Sequence, residues 1–146
     1  MFSSIVVGTD GSRTATEAVR EAVYVAKAVG ATLQLVSAYT PVSEHRLRAE
    51  RRRATAGVQP LSPRRETEEL LSDAAEMARE ASVEVNTHAR QGDPSDAIID
   101  VAEELKADLV IVGNKGMTGA KRFMLGSVPD RVSHHAPCSV MIIHTT

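Results

Sequence analysis

Three glycines and a serine, Gly113, Gly116, Gly126 and Ser127, have the types and spacing in this chain that could do chemistry. They follow Ala107-Asp108-Leu109-Val110-Ile111-Val112, a short apolar run that reads as a buried strand, and precede Val128 to Ala136, which reads as a helix. A glycine loop between a strand end and a helix start is suited to phosphate. Glycine lets the backbone approach an anion closely, and the unpaired N–H groups of the helix point at it. The pattern is G-x2-G-x9-G-S, which fits neither common phosphate fingerprint. A Walker loop needs G-x4-G-K-[ST], whereas five residues separate Gly113 from Gly119 and Ala120 precedes Lys121. A dinucleotide fingerprint needs G-x-G-x-x-G after the first strand, and this loop follows what reads as the fourth. The spacing therefore predicts a nucleotide site of another kind.

Elements that could hold such a loop alternate along the chain. Ser4 to Thr9, Thr32 to Tyr39, Val83 to Ala89, Leu109 to Val112 and Ser139 to His144 read as strands. Ala15 to Ala28 has helical spacing and stops at Gly30. Further helices are expected at about Glu66 to Ala81, Pro94 to Leu105 (capped by Asp93) and Val128 to Ala136. Five strands alternating with four helices predict an α/β fold: an open, parallel five-stranded sheet covered on both faces. Consecutive apolar positions in Ile5-Val6-Val7 and Leu109-Val110-Ile111-Val112 agree, since such strands are buried on both sides. The expected order is 3-2-1-4-5. Ligands of such sheets bind beyond the strand ends where the order reverses, here between strands one and four. Asp10 and Gly113 would then face each other across the crevice.

The 146 residues suit one domain, 1–146, with one long connection at about 40–65. That connection holds three prolines and Arg46, Arg48, Arg51, Arg52 and Arg53, and reads as a mobile, solvated loop with a short helix from Ser43 to Ala54. With only 3% aromatic residues and no Trp, stacking platforms for single-stranded nucleic acid are scarce. A net charge of −2 gives no pull toward nucleic acid or acidic membranes. No apolar run approaches the roughly 18 residues of a membrane span. A single cysteine, Cys138, fits a reducing compartment, so a cytoplasmic protein is expected. His134, His135 and Cys138 lack a fourth ligand, and adjacent helical histidines diverge by about 100°, so no metal site is expected.

Over almost its whole length the sequence resembles the universal stress proteins, in particular their ATP-binding subgroup. Ile5-Val6-Val7-Gly8-Thr9-Asp10-Gly11-Ser12 is similar to the family's first strand and acidic turn, and Gly92-Asp93-Pro94 to the turn before its third helix. Asp108 to His144 holds the complete G-x2-G-x9-G-[ST] motif and the His134-His135-Ala136-Pro137-Cys138-Ser139-Val140 tail. The resemblance implies a Rossmann-like fold of the adenine nucleotide alpha hydrolase-like type. It implies that Asp10 orients an adenine base, with Gly8 and Thr9 shaping that wall and the Ala38 backbone bonding the base edge. Val112 and Gly113 would lie beneath the ribose, and Gly116 would let the loop wrap the phosphates. Gly126, Ser127 and Val128 would bind phosphate through N–H groups and the Ser127 hydroxyl.

Pro129 departs from the family, which often has a small hydroxyl residue there; it removes an N–H, and Lys115, Lys121 and Arg122 could offset the loss. The ligand implied is ATP, with any Mg2+ carried on its phosphates. Cyclic AMP, which offers the same base and ribose, is the alternative. The function expected is a stress-response sensor, working through ordering of the loop from Asn114 to Leu125 and an unidentified protein partner. Phosphoryl transfer wants paired carboxylates, and only Asp130 lies near the loop, so an enzyme, at most a slow ATPase or phosphotransferase, is the weaker reading. The apolar last strand has no following helix to cover it, and a homodimer through it is expected.

Overall fold

The computed structural model describes residues 1–41, 45, 48, 49, 51, 52, 57, 62–115 and 125–145. The strands are β1 (Ser4–Gly8), β2 (Thr32–Tyr39), β3 (Val85–Gln91), β4 (Leu109–Gly113) and β5 (Ser139–Ile143). The helices are α1 (Arg13–Val29), α2 (Pro63–Glu80), α3 (Pro94–Glu104) and α4 (Ser127–His135). All strand pairs are parallel and the sheet runs β3-β2-β1-β4-β5, the order expected from the sequence.

Strand alternation divides the apolar residues between two cores. Ile5, Val7, Leu33, Leu35, Leu109 and Ile111 face one side, where Val19 of α1 and Leu71 and Ala75 of α2 cover them. Val6, Val36, Val110 and Val112 face the other, against Ile98 and Val101 of α3 and Val132 of α4. Each such side chain contributes about 1.5–3 kcal/mol when fully buried, which is why these strands carry apolar residues at consecutive positions. The start of the chain is tied across the sheet bottom by Asp108, whose carboxylate accepts from Ser3 N–H at 2.7 Å and Ser3 Oγ at 2.8 Å. Those bonds hold its carboxyl below the ordinary range.

Helix ends account for the differences from the expected boundaries. Ser12 caps α1, its Oγ accepting from Ala15 N–H, so the helix starts at Arg13 rather than Ala15. Pro63 occupies the first position of α2, which absorbs the last residues of the expected 40–65 loop. Val83 is no strand residue: its N–H donates to Ala78 O and closes the end of α2, so β3 begins at Val85. Three helices end in a left-handed residue, but only α1 uses glycine there. Gly30 has φ 72°, whereas Ser82 has φ 62° and Lys106 φ 52°. Within the expected helix from Ser43 to Ala54, Arg48, Ala49, Arg51 and Arg52 are helical and exposed; Arg46 and Arg53 lie outside the described residues.

Candidate functional site

Pairing between β1 and β4 stops at Val7 and Ile111, while β1 stays with β2 to Gly8 and Val36, and β4 with β5 to Gly113 and Ile143. The two central strands thus part at their carboxyl ends, and a cleft opens between them. This is the crevice at the reversal of strand order where parallel sheets hold ligands.

One wall is the turn from β1 into α1. Thr9 N–H donates to Val36 O at 2.9 Å, the last bond holding the turn to the sheet. Thr9 Oγ1 then accepts from Gly11 N–H at 3.1 Å and Asp10 Oδ1 from Ser12 N–H at 2.9 Å, folding the turn back on itself. Gly11 has φ 79°, a conformation that favours glycine. Asp10 lines the cleft with one carboxylate oxygen engaged and Oδ2 without a partner among the described residues.

The back wall is the end of β2, and its chemistry follows from strand parity. Even residues of β2 turn their amides toward β1, as in Thr32 N–H to Ser3 O and Thr9 N–H to Val36 O. Odd residues turn toward β3, as in Leu33 N–H to Glu84 O and Gly92 N–H to Tyr39 O. Ala38 is even and lies beyond the last β1 pair, so its N–H and C=O point into the cleft it lines. They form a donor and an acceptor side by side, a pattern that matches the edge of a purine base. Pro94 and Ile98, one turn apart on α3, add an apolar surface beside Gly8.

The far wall joins the end of β4 to the start of α4. Gly113, Lys115, Val128 and Pro129 line it. Gly126 is the cap residue of α4 and offers no side chain to its first turn. Ser127 and Val128 N–H groups therefore have no partner among the described residues, whereas Gly126 N–H donates to Asn114 O at 3.0 Å. The helix start is an anion seat with two free amides and an exposed Ser127 beside them.

Of the residues singled out in the sequence, Gly8, Thr9, Asp10, Ala38, Val112, Gly113 and Val128 line one cleft. Gly126 and Ser127 stand at the adjoining helix start without lining it. Gly116, Lys121, Arg122, Met117 and Met124 lie outside the described residues. Two expected roles change. Gly126 N–H is engaged by Asn114 and is not available to phosphate. Neither Gly113 nor Gly126 needs glycine's backbone freedom: Gly126 has φ −63°, and what a Cβ on Gly113 would meet is Thr145 Cγ2 at 3.2 Å. The sequence reading missed Ser37, Thr14, Pro94 and Ile98 as lining residues. Pro94 and Ile98 share the one-turn spacing of a single helix face, the signal that could have found them.

At the end of α4, His134 Nε2 lies 3.5 Å from Asp130 Oδ1, and burial pushes the Cys138 thiol up. Among the described residues, no helix is long and apolar enough to cross a membrane.

Comparison with known proteins agrees with this fold. The family model described as "Universal stress protein family" matches residues 1–144. A universal stress protein of Mycobacterium tuberculosis is 39% identical, with 99% of this chain and 98% of that protein covered. A solved universal stress protein in complex with cAMP is 32% identical, with a TM-score of 0.72 over 99% of this chain and 98% of its own. The universal stress protein of Archaeoglobus fulgidus in complex with dAMP is 25% identical, with a TM-score of 0.69 over 97% of this chain and 98% of its own.

Proposed function

Because the chain belongs to the universal stress protein family, we propose that it binds adenine nucleotides in the cleft between β1 and β4. It would act as a cytoplasmic, non-catalytic sensor in the stress response. The observation that carries this reading is the pairing of two features across one crevice. The unpaired peptide groups of Ala38 would read the base edge, and the uncapped start of α4 would hold phosphate. Gly8, Val112, Pro94 and Ile98 supply the apolar sides between them, and Lys115 the neutralising charge. Solved relatives complexed with cAMP and dAMP support an adenine ligand.

The supply of donors bears on the number of phosphates. ATP, carrying any Mg2+ on its own phosphates, would need contacts beyond Ser127 and Val128, supplied by Lys115 and the glycine loop. Cyclic AMP is the second reading. Pro129 has no N–H and Gly126 N–H is engaged, so the described helix start offers two amides, a number suited to one phosphate. A binding role rather than turnover is supported by the acids nearby: Asp10 lines the cleft but Asp130, which faces His134, does not, so the two do not pair there.

Mass spectrometry of nucleotide retained through native purification, followed by calorimetry with ATP, ADP, AMP, cyclic AMP and GTP, tests this reading. Adenine ligands should bind and GTP should be rejected; equal affinity for ATP and GTP refutes the base assignment. A homodimer through β5 belongs to the same reading. That strand is the sheet edge and exposes Ile142 at 42%. Light scattering should give a dimer at micromolar concentration and a monomer for Ile142→Pro.

A further inference from the structure

Asn114 lies outside the cleft, yet four polar links to three parts of the chain meet at it. Its N–H donates to Ile143 O at 2.8 Å, and its Oδ1 accepts from Thr145 N–H at 2.8 Å and Thr145 Oγ1 at 3.0 Å. These bonds carry the β4–β5 ladder past Gly113 and Ile143, where regular pairing ends. Two-sided attachment fixes the plane of the residue, and with it the direction of its carbonyl. That carbonyl receives Gly126 N–H at 3.0 Å, and Gly126 is the cap from which α4 starts. The residues on either side of Asn114, Gly113 and Lys115, line the cleft themselves. The Thr145 side chain also packs behind Gly113, with Cγ2 3.2 Å from where a Cβ would stand.

We infer that Asn114 is a positioning residue for the phosphate end of the cleft, aligning the start of α4 through Gly126 while being held in place by Thr145. The inference rests on the nucleotide reading above and adds a residue that touches no ligand. It also makes the tail beyond β5 part of the binding apparatus. Loss of the Thr145 bonds frees Asn114 to rotate, and the Ser127 and Val128 amides then lose their fixed aim. The base end, built from Ala38, Gly8 and Ile98, is untouched by this chain of contacts.

The test compares AMP with adenosine, which shares the base and ribose but lacks the phosphate, by calorimetry on the full chain. Asn114→Ala should weaken AMP by about two- to tenfold, the range for losing a hydrogen bond that orients a site, while adenosine stays within about twofold. Thr145→Pro removes both donors to Asn114 Oδ1 at a position outside any helix or strand. It should do the same, and it decides the matter if Asn114→Ala does not fold. An unchanged AMP-to-adenosine ratio in the folded variants overturns the inference, as does equal weakening of both ligands, which signals general loosening. A wild-type protein that binds neither ligand removes the nucleotide reading itself, and this inference with it.

Discussion

Gly8 and Ile98 pack so closely that a methyl group added to Gly8 would displace the end of the Ile98 side chain. A Cβ built on Gly8 would stand 2.5 Å from Ile98 Cδ1 and 3.0 Å from its Cγ1. Packing against Ile98, not backbone conformation, is what favours glycine here, for its φ is not positive. Gly8→Ala must turn the end of Ile98 away from its present rotamer, at about 0.5–1.5 kcal/mol. Thermal melting should show that loss, and Ile98→Val, which deletes Cδ1, should restore part of it in the double variant. Equal losses in the single and double variants would disprove the contact's role.

Gly126→Asp separates the two demands on the start of α4. The carboxylate can cap the first turn, so the protein should melt within about 1 kcal/mol of wild type. It also places negative charge where phosphate is proposed to sit, so AMP and ATP affinity should fall at least about tenfold and recover in part at high salt. Undiminished ATP binding would mean that the phosphates lie elsewhere.

Lys106→Gly should stabilise the protein by about 0.5–1 kcal/mol, or about 2–4 °C in Tm. Lys106 holds φ 52° at the end of α3, where a side chain is strained and glycine is not. Gly30→Ala, at φ 72°, should move stability the other way. Differential scanning calorimetry of the pair checks both signs.

A pH effect follows from His88, whose Nε2 bonds Gln34 Oε1 at 2.8 Å beneath α3. Burial, reinforced by the nearby Arg90 cation and only partly opposed by Glu104, lowers its pKa from 6.5. The unfolded chain therefore binds more protons than the folded one just below pH 6.5, and stability falls with pH from there toward the folded value. Melting between about pH 7.5 and about pH 5 should show this slope, and His88→Gln should flatten it. Parallel curves for the two proteins would place the titration elsewhere.

The sheet order and the position of the cleft were legible because consecutive apolar runs such as Leu109 to Val112 specify doubly covered strands, and parallel strands restrict where a ligand can sit. Helix ends were legible only where glycine marks them. Gly30 announced the end of α1, whereas Ser82 and Lys106 adopt the same backbone without the residue that signals it. At the candidate site, the structure gives two of the glycines roles that the sequence reading did not assign. Gly126 holds Asn114 rather than bearing directly on a ligand through its N–H, and Gly113 makes room for Thr145. Such roles depend on residues distant in the chain, and spacing within one loop does not carry them.

The turn of the Ala38 peptide groups into the cleft also bears on how the proposed base recognition could be altered or detected. A contact made by main-chain atoms is indifferent to the side chain that carries it, so drift at position 38 leaves the hydrogen-bonding face in place. Alanine scanning passes over it altogether, since the residue is already alanine. Only an edit to the polymer itself, such as an amide-to-ester exchange or a proline at this position, removes the donor and makes the contribution measurable.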